Sequence, residues 1–560
     1  MSNATLSPSK IWIAQLNPTP GDVIGNMKTI KQAIQNAQNA QAQVIVFPEL
    51  SVPGYSPKDL LLENAFIQAC LAADDEIIAL SQNNLVIIWG NIQPNATGNG
   101  KPLQNIAHCA INGKRIATAI KSHLPNHDIF SEARYFEPGT KELALPIVDT
   151  PHGKIAICIC ADIWTHPSFN EEEKQRIIPN IYGGSIFSKT PLGVDLLVNI
   201  SASPFVHHKP ERRLKLLQKV AKAEQCPVVY ANQVGANDEI IFDGHSSVTM
   251  PSKDSNAEQD YWPGFKSLTR AANVNVKNNF IPCELRDIQN ALVLGIQDYF
   301  HKSGFQRALI GLSGGIDSAL VAILACHALG PDNVEGILMP GPFSSPESIT
   351  DALELADNLD IQTRQLSITP LYESALALFN TSGKPLGDLA EQNLQARLRG
   401  LTLMTLSNRE GKLVIATSNK SELAMGYSTL YGDTCGAIAP IGDLYKTQVY
   451  QLCEYLNQDK EFIPHSILEK APSAELAPNQ RDEDSLGPYE TLDPILKQLI
   501  ETPDNTNHLK HAEILNRIYR AEYKRQQGPV ILKVSSKSFG SGRQFLTNLT
   551  ATSIPRLVKV

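Results

Sequence analysis

Apolar residues in the first half of the chain fall into short β-branched runs, at residues 10–14, 43–47, 85–89, 154–158, 195–199 and 227–230. Stretches with helical spacing, such as 27–42 and 211–225, lie between several of them, so this half reads as a sandwich of sheets and helices. Between residues 252 and 279 the pattern turns polar and loses its period, which reads as a linker. Beyond it the alternation is cleaner: strand 307–312, helix 317–329, strand 334–339, helix 345–359, strand 363–368, a long helix through 395–408 and strand 412–417. That order predicts an α/β fold with a doubly wound parallel sheet, whose ligands bind beyond the carboxyl ends of the strands. The expected division is residues 8–255, a linker at 256–285, and residues 286–560. A chain of 560 residues is too long for a single core, which agrees with this partition.

Composition narrows the partners. A net charge of -8 offers no basic face, so nucleic acid is not an expected partner. No apolar stretch near the N-terminus is long enough for a signal peptide, and no run of about 18 uncharged apolar residues occurs. No membrane partner is expected, and the expected location is cytoplasmic. The nine cysteines form neither a disulfide framework nor a zinc pattern, since Cys158 and Cys160 have no second pair to complete four ligands.

The most specific chemistry is Ser313-Gly314-Gly315-Ile316-Asp317-Ser318, between the strand ending in Gly311-Leu312 and the helix from 317. A strand feeding a glycine turn that opens a helix aims backbone N–H groups at an anion, with the helix dipole behind them. The turn lacks the Gly-Lys-Ser/Thr ending of the common P-loop and carries Asp317, a hard oxygen donor suited to magnesium. Packing alone would call for neither Ser313 nor Asp317. The segment resembles the PP-loop ATP pyrophosphatases, which implies that Gly311, Leu312, Ser313, Gly314, Gly315, Ile316, Asp317 and Ser318 bind ATP and that AMP is transferred to an oxygen.

In the first half, Phe47-Pro48-Glu49-Leu50 sets a carboxylate at the end of an early strand, and Lys121-Ser122-His123-Leu124 sets an ammonium group after another. Cys160-Ala161-Asp162-Ile163-Trp164 follows a third. A lone strand cysteine is more often an inert core residue. The ordered set of Glu49, Lys121 and Cys160 resembles the nitrilase superfamily, specifically the glutaminase domains fused to synthetases, over about residues 8–250. The resemblance implies an α-β-β-α sandwich. The residue types suit the chemistry: Cys160 attacks the side-chain amide of glutamine, Glu49 serves as general base and then acid, and Lys121 stabilises the oxyanion. Cys158, two residues away on the strand, is expected to face the same way and competes as nucleophile. Cys160 is preferred because it precedes the Asp-x-Trp element as the family's cysteine does. Glu132 lies where such enzymes carry a second carboxylate. His127, Ser203 and Lys209 match glutamine-binding positions, although His127 replaces the usual tyrosine and Ala161 the usual glutamate.

From Asp287 to about Gly542 the chain is similar to NAD synthetases, most strongly across residues 417–433. The resemblance implies that Thr417, Lys446 and Ser473 contact ATP and that Asn393, Arg397, Glu422, Asp433 and Lys524 contact deamido-NAD. It also implies that Asp317 and Glu422 hold Mg2+. Leu430 stands where shorter, ammonia-using relatives have lysine. The expected activity is ATP-dependent amidation of deamido-NAD through an adenylate, with ammonia from glutamine carried through an internal passage, in a homo-oligomer. Other ligases with this loop fit less well. Position 2 is Ser rather than the exposed cysteine of asparagine synthetase, the Cys-His-Glu glutaminase of GMP synthetase is missing, and no Cys-x-x-Cys marks a thiolating enzyme. A free amidase fused to a nucleotide sensor remains the alternative from another class.

Overall fold

The computed structural model describes residues 6–170, 173, 184–188, 190–252, 259–274, 282–380, 387–502 and 505–540. The chain forms two compact units, Met1–Pro282 and Cys283–Val560.

Among the described residues the first unit holds fourteen strands: β1 (Ile11–Gln15), β2 (Val44–Val46), β3 (Val86–Pro94), β4 (Leu103–Ile111), β5 (Lys114–Ile120), β6 (Ile147–Thr150), β7 (Gly153–Ile159), β8 (Leu196–Ser201), β9 (Val228–Asn232), β10 (Val234–Asn237), β11 (Ile240–Asp243), β12 (Ser247–Thr249), β13 (Gln259–Tyr261) and β14 (Leu268–Ala271). They build two six-stranded sheets, ordered β14-β1-β2-β3-β4-β5 and β13-β12-β9-β8-β7-β6, and a β10-β11 hairpin. Alternation along the strands decides what each face meets. Val44 and Val46 of β2 pack with Ile155, Ile157 and Ile159 of β7 between the sheets, while Ile45 turns outward. There it packs with Ile30, Ile34 and Ile77 of the helices Val23–Asn39 and Asn64–Leu80. On the other sheet Leu197 and Val228 receive Leu217 and Val220 of the helix Lys209–Glu224. The layers are therefore helix, sheet, sheet, helix.

The linker reading is corrected over residues 259–271. β13 pairs antiparallel with β12 and β14 with β1, so this segment ends as an edge strand of each sheet. The Arg270 guanidinium grips Asp260 at 2.6 and 2.8 Å and lies 4.0 Å from the centre of the fully buried Trp262 ring. Neither strand shows apolar alternation in sequence, because β14 is half-buried at every position and the three-residue β13 buries the polar Gln259 and Asp260. The remaining linker residues, 253–258 and 275–281, lie outside the described residues.

The second unit is a parallel sheet of β15 (Ala308–Gly311), β16 (Val334–Leu338), β17 (Gln362–Gln365), β18 (Leu413–Ile415), β19 (Ile438–Ala439) and β20 (Val530–Ile531), ordered β17-β16-β15-β18-β19-β20. The order reverses between β15 and β18, which opens a crevice at their carboxyl ends. The helix Ile316–Leu329 springs from β15 and is almost wholly buried. The long helix expected through 395–408 runs Asp388–Glu410, while the strand expected at 363–368 is the shorter β17.

Candidate active sites

Strand ends of the first unit gather Glu49, Lys121 and Cys160. Glu49 follows β2, Lys121 follows β5 and Cys160 follows β7, and the first two have no exposed surface. Lys121 Nζ donates to Glu49 Oε1 and to Glu132 Oε1, each at 2.7 Å. Tyr55 OH also donates to Glu132 Oε1, at 2.7 Å. Glu49 Oε2 accepts the Ala202 N–H at 3.0 Å, and Oε1 accepts Asn105 Nδ2 at 2.7 Å.

Electrostatics set the resting protonation states. Burial pushes the Cys160 thiol up to about 12, Glu49 adds to the shift, and Lys121 opposes it. Cys160 therefore rests as a thiol: the nearby cation alone does not make a thiolate, and attack by this sulfur would require a base to take the proton. Burial opposes the charge on Lys121, but Glu132 and Glu49 outweigh it and raise its pKa. Burial lifts Glu132 to about 7.

The expectation that Cys158 and Cys160 face the same way is corrected. Cys160 opens the 3-10 helix Cys160–Thr165 with φ 43°, a left-handed conformation rare for a residue with a side chain. That turn breaks the strand alternation. Cys160 packs with Ile157 and Ile159 between the sheets, whereas Cys158 lies in the cluster beneath the helix Lys209–Glu224. Cys158 has no exposed surface and its thiol is raised by burial.

Of the glutamine positions, Ser203 follows Ala202 directly, and its N–H donates to Asn232 Oδ1 at 2.8 Å. Lys209 Nζ donates to Pro204 O at 2.8 Å, and its charge favours the Cys160 thiolate. His127 meets Phe130 edge to face at 5.7 Å in the loop between Lys121 and Glu132.

In the second unit, every residue that the sequence assigned to ATP, to the dinucleotide or to magnesium lines one cavity of about 560 Å³. Gly314 supplies the left-handed turn at φ 75°, and a Cβ there would come within 2.2 Å of Ser348 O. Ser318 Oγ accepts the Ser313 N–H at 3.3 Å, which leaves the loop tightly wound on the helix. Asp317 accepts Asn419 Nδ2 at 2.9 Å and pairs with Lys446 Nζ, which also lies 3.6 Å from Glu422 Oε1. Asn419 caps the helix Lys420–Met425, fixing Glu422 through a reciprocal capping box. Burial and then Asp317 raise Glu422 to about 8.

Elsewhere around the cavity, Asp433 Oδ1 accepts the Thr429 N–H at 2.6 Å, and Thr429 Oγ1 donates to Asn393 Oδ1 at 2.7 Å. Arg397 Nε donates to Leu430 O at 3.2 Å, and Lys524 Nζ donates to Gly426 O and Ser428 O at 2.7 and 2.6 Å. Ser473 Oγ donates to Gln480 O at 2.6 Å. Thr417 lies just past the end of β18.

Residues 10–263 match the carbon-nitrogen hydrolase family and residues 288–528 the NAD synthase family. A glutamine-dependent NAD(+) synthetase from Synechocystis sp. is 40% identical, the match covering 95% of this chain and 97% of that protein. The chain belongs to the glutamine-dependent NAD(+) synthetase family. The family member from Thermotoga maritima is 35% identical over 96% of this chain and 98% of its own. Among solved structures, the Acinetobacter baumannii synthetase in complex with ADP has a TM-score of 0.73 at 30% identity, covering 96% of this chain and 98% of that one. A synthetase from Cytophaga hutchinsonii, at 21% identity and a TM-score of 0.78 over 98% and 99% of the two chains, has the same fold.

Sequence reading passed over Asn105, Tyr55 and the Ala202 N–H, which no local motif marks. Asp162 and His123 stood in plain view within motifs, but nothing in the sequence pairs them.

Proposed function

We propose that the chain converts deamido-NAD to NAD with ATP and glutamine, the first unit releasing ammonia and the second using it. The observation that carries this is the coexistence of a buried Glu49-Lys121-Cys160 cluster and one cavity collecting every nucleotide-assigned residue. Glu49 takes the proton from Cys160 Sγ as the sulfur attacks the carboxamide carbon of glutamine. Lys121 donates to the oxyanion of the tetrahedral intermediate. Glu49 returns the proton to the departing nitrogen, leaving a glutamyl thioester and ammonia. Water, activated by Glu49, hydrolyses the thioester to glutamate and restores the thiol. Glu132, whose carboxyl is raised by burial, accepts from the same Lys121 ammonium that reaches Glu49 and so helps hold it in place. Ser203 and Lys209 bind glutamine, and His127 takes the place of the family's tyrosine.

In the second unit a nicotinate carboxylate oxygen of deamido-NAD attacks the α-phosphorus of ATP, forming the acyl adenylate and releasing pyrophosphate. The N–H groups of residues 313–318 and the Lys446 ammonium bind the phosphates, and Ser473 and Thr417 complete the ATP site. Asn393, Arg397, Glu422, Asp433 and Lys524 bind the dinucleotide. Ammonia attacks the activated carbonyl, expels AMP and leaves the amide of NAD.

Two hard carboxylates, Asp317 and Glu422, flank the Lys446 cation, and Asp317 raises Glu422, so the pair suits a further hard cation. Among the described residues no group of three or more His, Cys, Asp or Glu is arranged to hold a metal, so magnesium would rely on this pair together with substrate phosphates. When bound, it supplies neutralisation of the charge developing on pyrophosphate.

Ammonia passes internally between the two active sites, which keeps it from being lost as ammonium. A homo-oligomer is the proposed assembly. Among the described residues no helix is long and apolar enough to cross a membrane. A cytoplasmic location accords with ATP as substrate.

The test is to incubate the protein with deamido-NAD, ATP, magnesium and glutamine and to identify the products. NAD, AMP, pyrophosphate and glutamate are expected. Formation of ADP and phosphate instead would overturn the adenylation reading.

A further inference from the structure

Asn105 lies on β4 with no exposed surface, and nothing in its sequence context marks it. β4 and β5 run antiparallel with Ile106 opposite Ile120, and the Lys121 N–H donates to the Asn105 carbonyl at 2.9 Å. Asn105 and Lys121 are thus cross-strand neighbours, whose side chains leave the same face. Both reach the same atom: Asn105 Nδ2 and Lys121 Nζ each lie 2.7 Å from Glu49 Oε1. A carboxylate only accepts at this contact, so the amide nitrogen of Asn105 faces Glu49.

The other end of the Asn105 amide is costly. Its Oδ1 is buried with no hydrogen-bond partner. Leaving a buried acceptor unmade costs about 1–3 kcal/mol, whereas an apolar side chain of similar shape would carry no such penalty. Folding therefore gains little from an amide here, and the single hydrogen bond to Glu49 is what the residue supplies. That bond fixes the carboxylate. Lys121 at Oε1 and the Ala202 N–H at Oε2 define two points, and a third donor locks the plane of the group.

We propose that Asn105 is a positioning residue for the general base, holding Glu49 in register with Lys121 so that it can take the Cys160 proton. This rests on the roles given above to Glu49, Lys121 and Cys160. It acts through Glu49 and touches neither substrate nor sulfur.

The test uses the full-length protein with Asn105→Leu and Asn105→Asp, both close in shape to the parent, and Cys160→Ala alongside. Thermal midpoint, ammonium-dependent synthesis, and glutamine-dependent kcat and KM from pH 5.5 to 9 are measured on each. Both Asn105 variants should keep the ammonium-dependent rate and lose glutamine-dependent kcat by about 10- to 100-fold, the scale of a misplaced catalytic group. KM for glutamine should hardly move, so that the loss falls on kcat alone. A purely structural role would lower the thermal midpoint and both rates together, and that result overturns the proposal. So does an unchanged glutamine-dependent kcat in either folded variant. If Cys160→Ala itself retained glutamine-dependent synthesis, the reading of the whole site would fall, an outcome distinct from failure of Asn105 alone.

Discussion

Asp162, two residues beyond Cys160, accepts hydrogen bonds from both the backbone N–H and the ring Nδ1 of His123, two residues beyond Lys121, each at 2.8 Å. The Ser122 N–H donates to the same carboxylate at 3.2 and 3.3 Å. Asp162 has no exposed surface. The turn carrying Cys160 and the loop carrying Lys121 are thereby tied to each other by side-chain contacts rather than by a strand ladder. Asp162→Ala should lower glutamine-dependent synthesis by about 10- to 100-fold, because a small misplacement of either group is felt strongly. Ammonium-dependent synthesis measured on the same preparation should stay near the parent rate.

Cys160→Ala should abolish glutamine-dependent NAD formation and spare the ammonium-dependent reaction, since the nucleophile and the ligase cavity lie in separate units. Cys158→Ala should spare both. Comparing the two nitrogen sources decides it: retention of glutamine hydrolysis in Cys160→Ala would move the nucleophile elsewhere.

Gly314→Ala would force a side chain into a left-handed turn against the Ser348 carbonyl. The conformation alone costs about 1–2 kcal/mol, and the contact requires the loop or the helix Pro346–Leu359 to shift. Weaker ATP binding follows. KM for ATP should rise with either nitrogen source, while glutamine hydrolysis without ATP and deamido-NAD continues. Asp317→Asn should suppress synthesis with both nitrogen sources and should also remove the exchange of labelled pyrophosphate into ATP that depends on deamido-NAD.

Deamido-NAD and ATP together should raise the rate of glutamine hydrolysis, because a coupled pair of sites releases ammonia only when an acceptor is ready. Glutamate release with and without the two ligands measures this. An unchanged rate, with NAD synthesis from glutamine fully stopped by an external ammonia-scavenging enzyme, would show that no internal transfer operates.

Short motifs carry the expected chemistry of each site. Glycines, carboxylates and a cysteine in short motifs report local needs, such as the left-handed turn at Gly314 or the end of a strand at Glu49, and local needs survive in a linear pattern. Tertiary structure alone decided how those pieces support one another. The Asp162-His123 tie spans 39 positions and the Asn105 bond to Glu49 spans 56, so neither leaves a local trace. The two edge strands at 259–271 show no apolar alternation for different reasons: β14 is half-buried throughout, β13 is three residues long and buries the polar Gln259 and Asp260, and the places of both are fixed by pairing with β1 and β12. The facing of Cys158 was misjudged because a single left-handed residue at Cys160 ends the strand's period of two, a backbone choice that side-chain identity does not record.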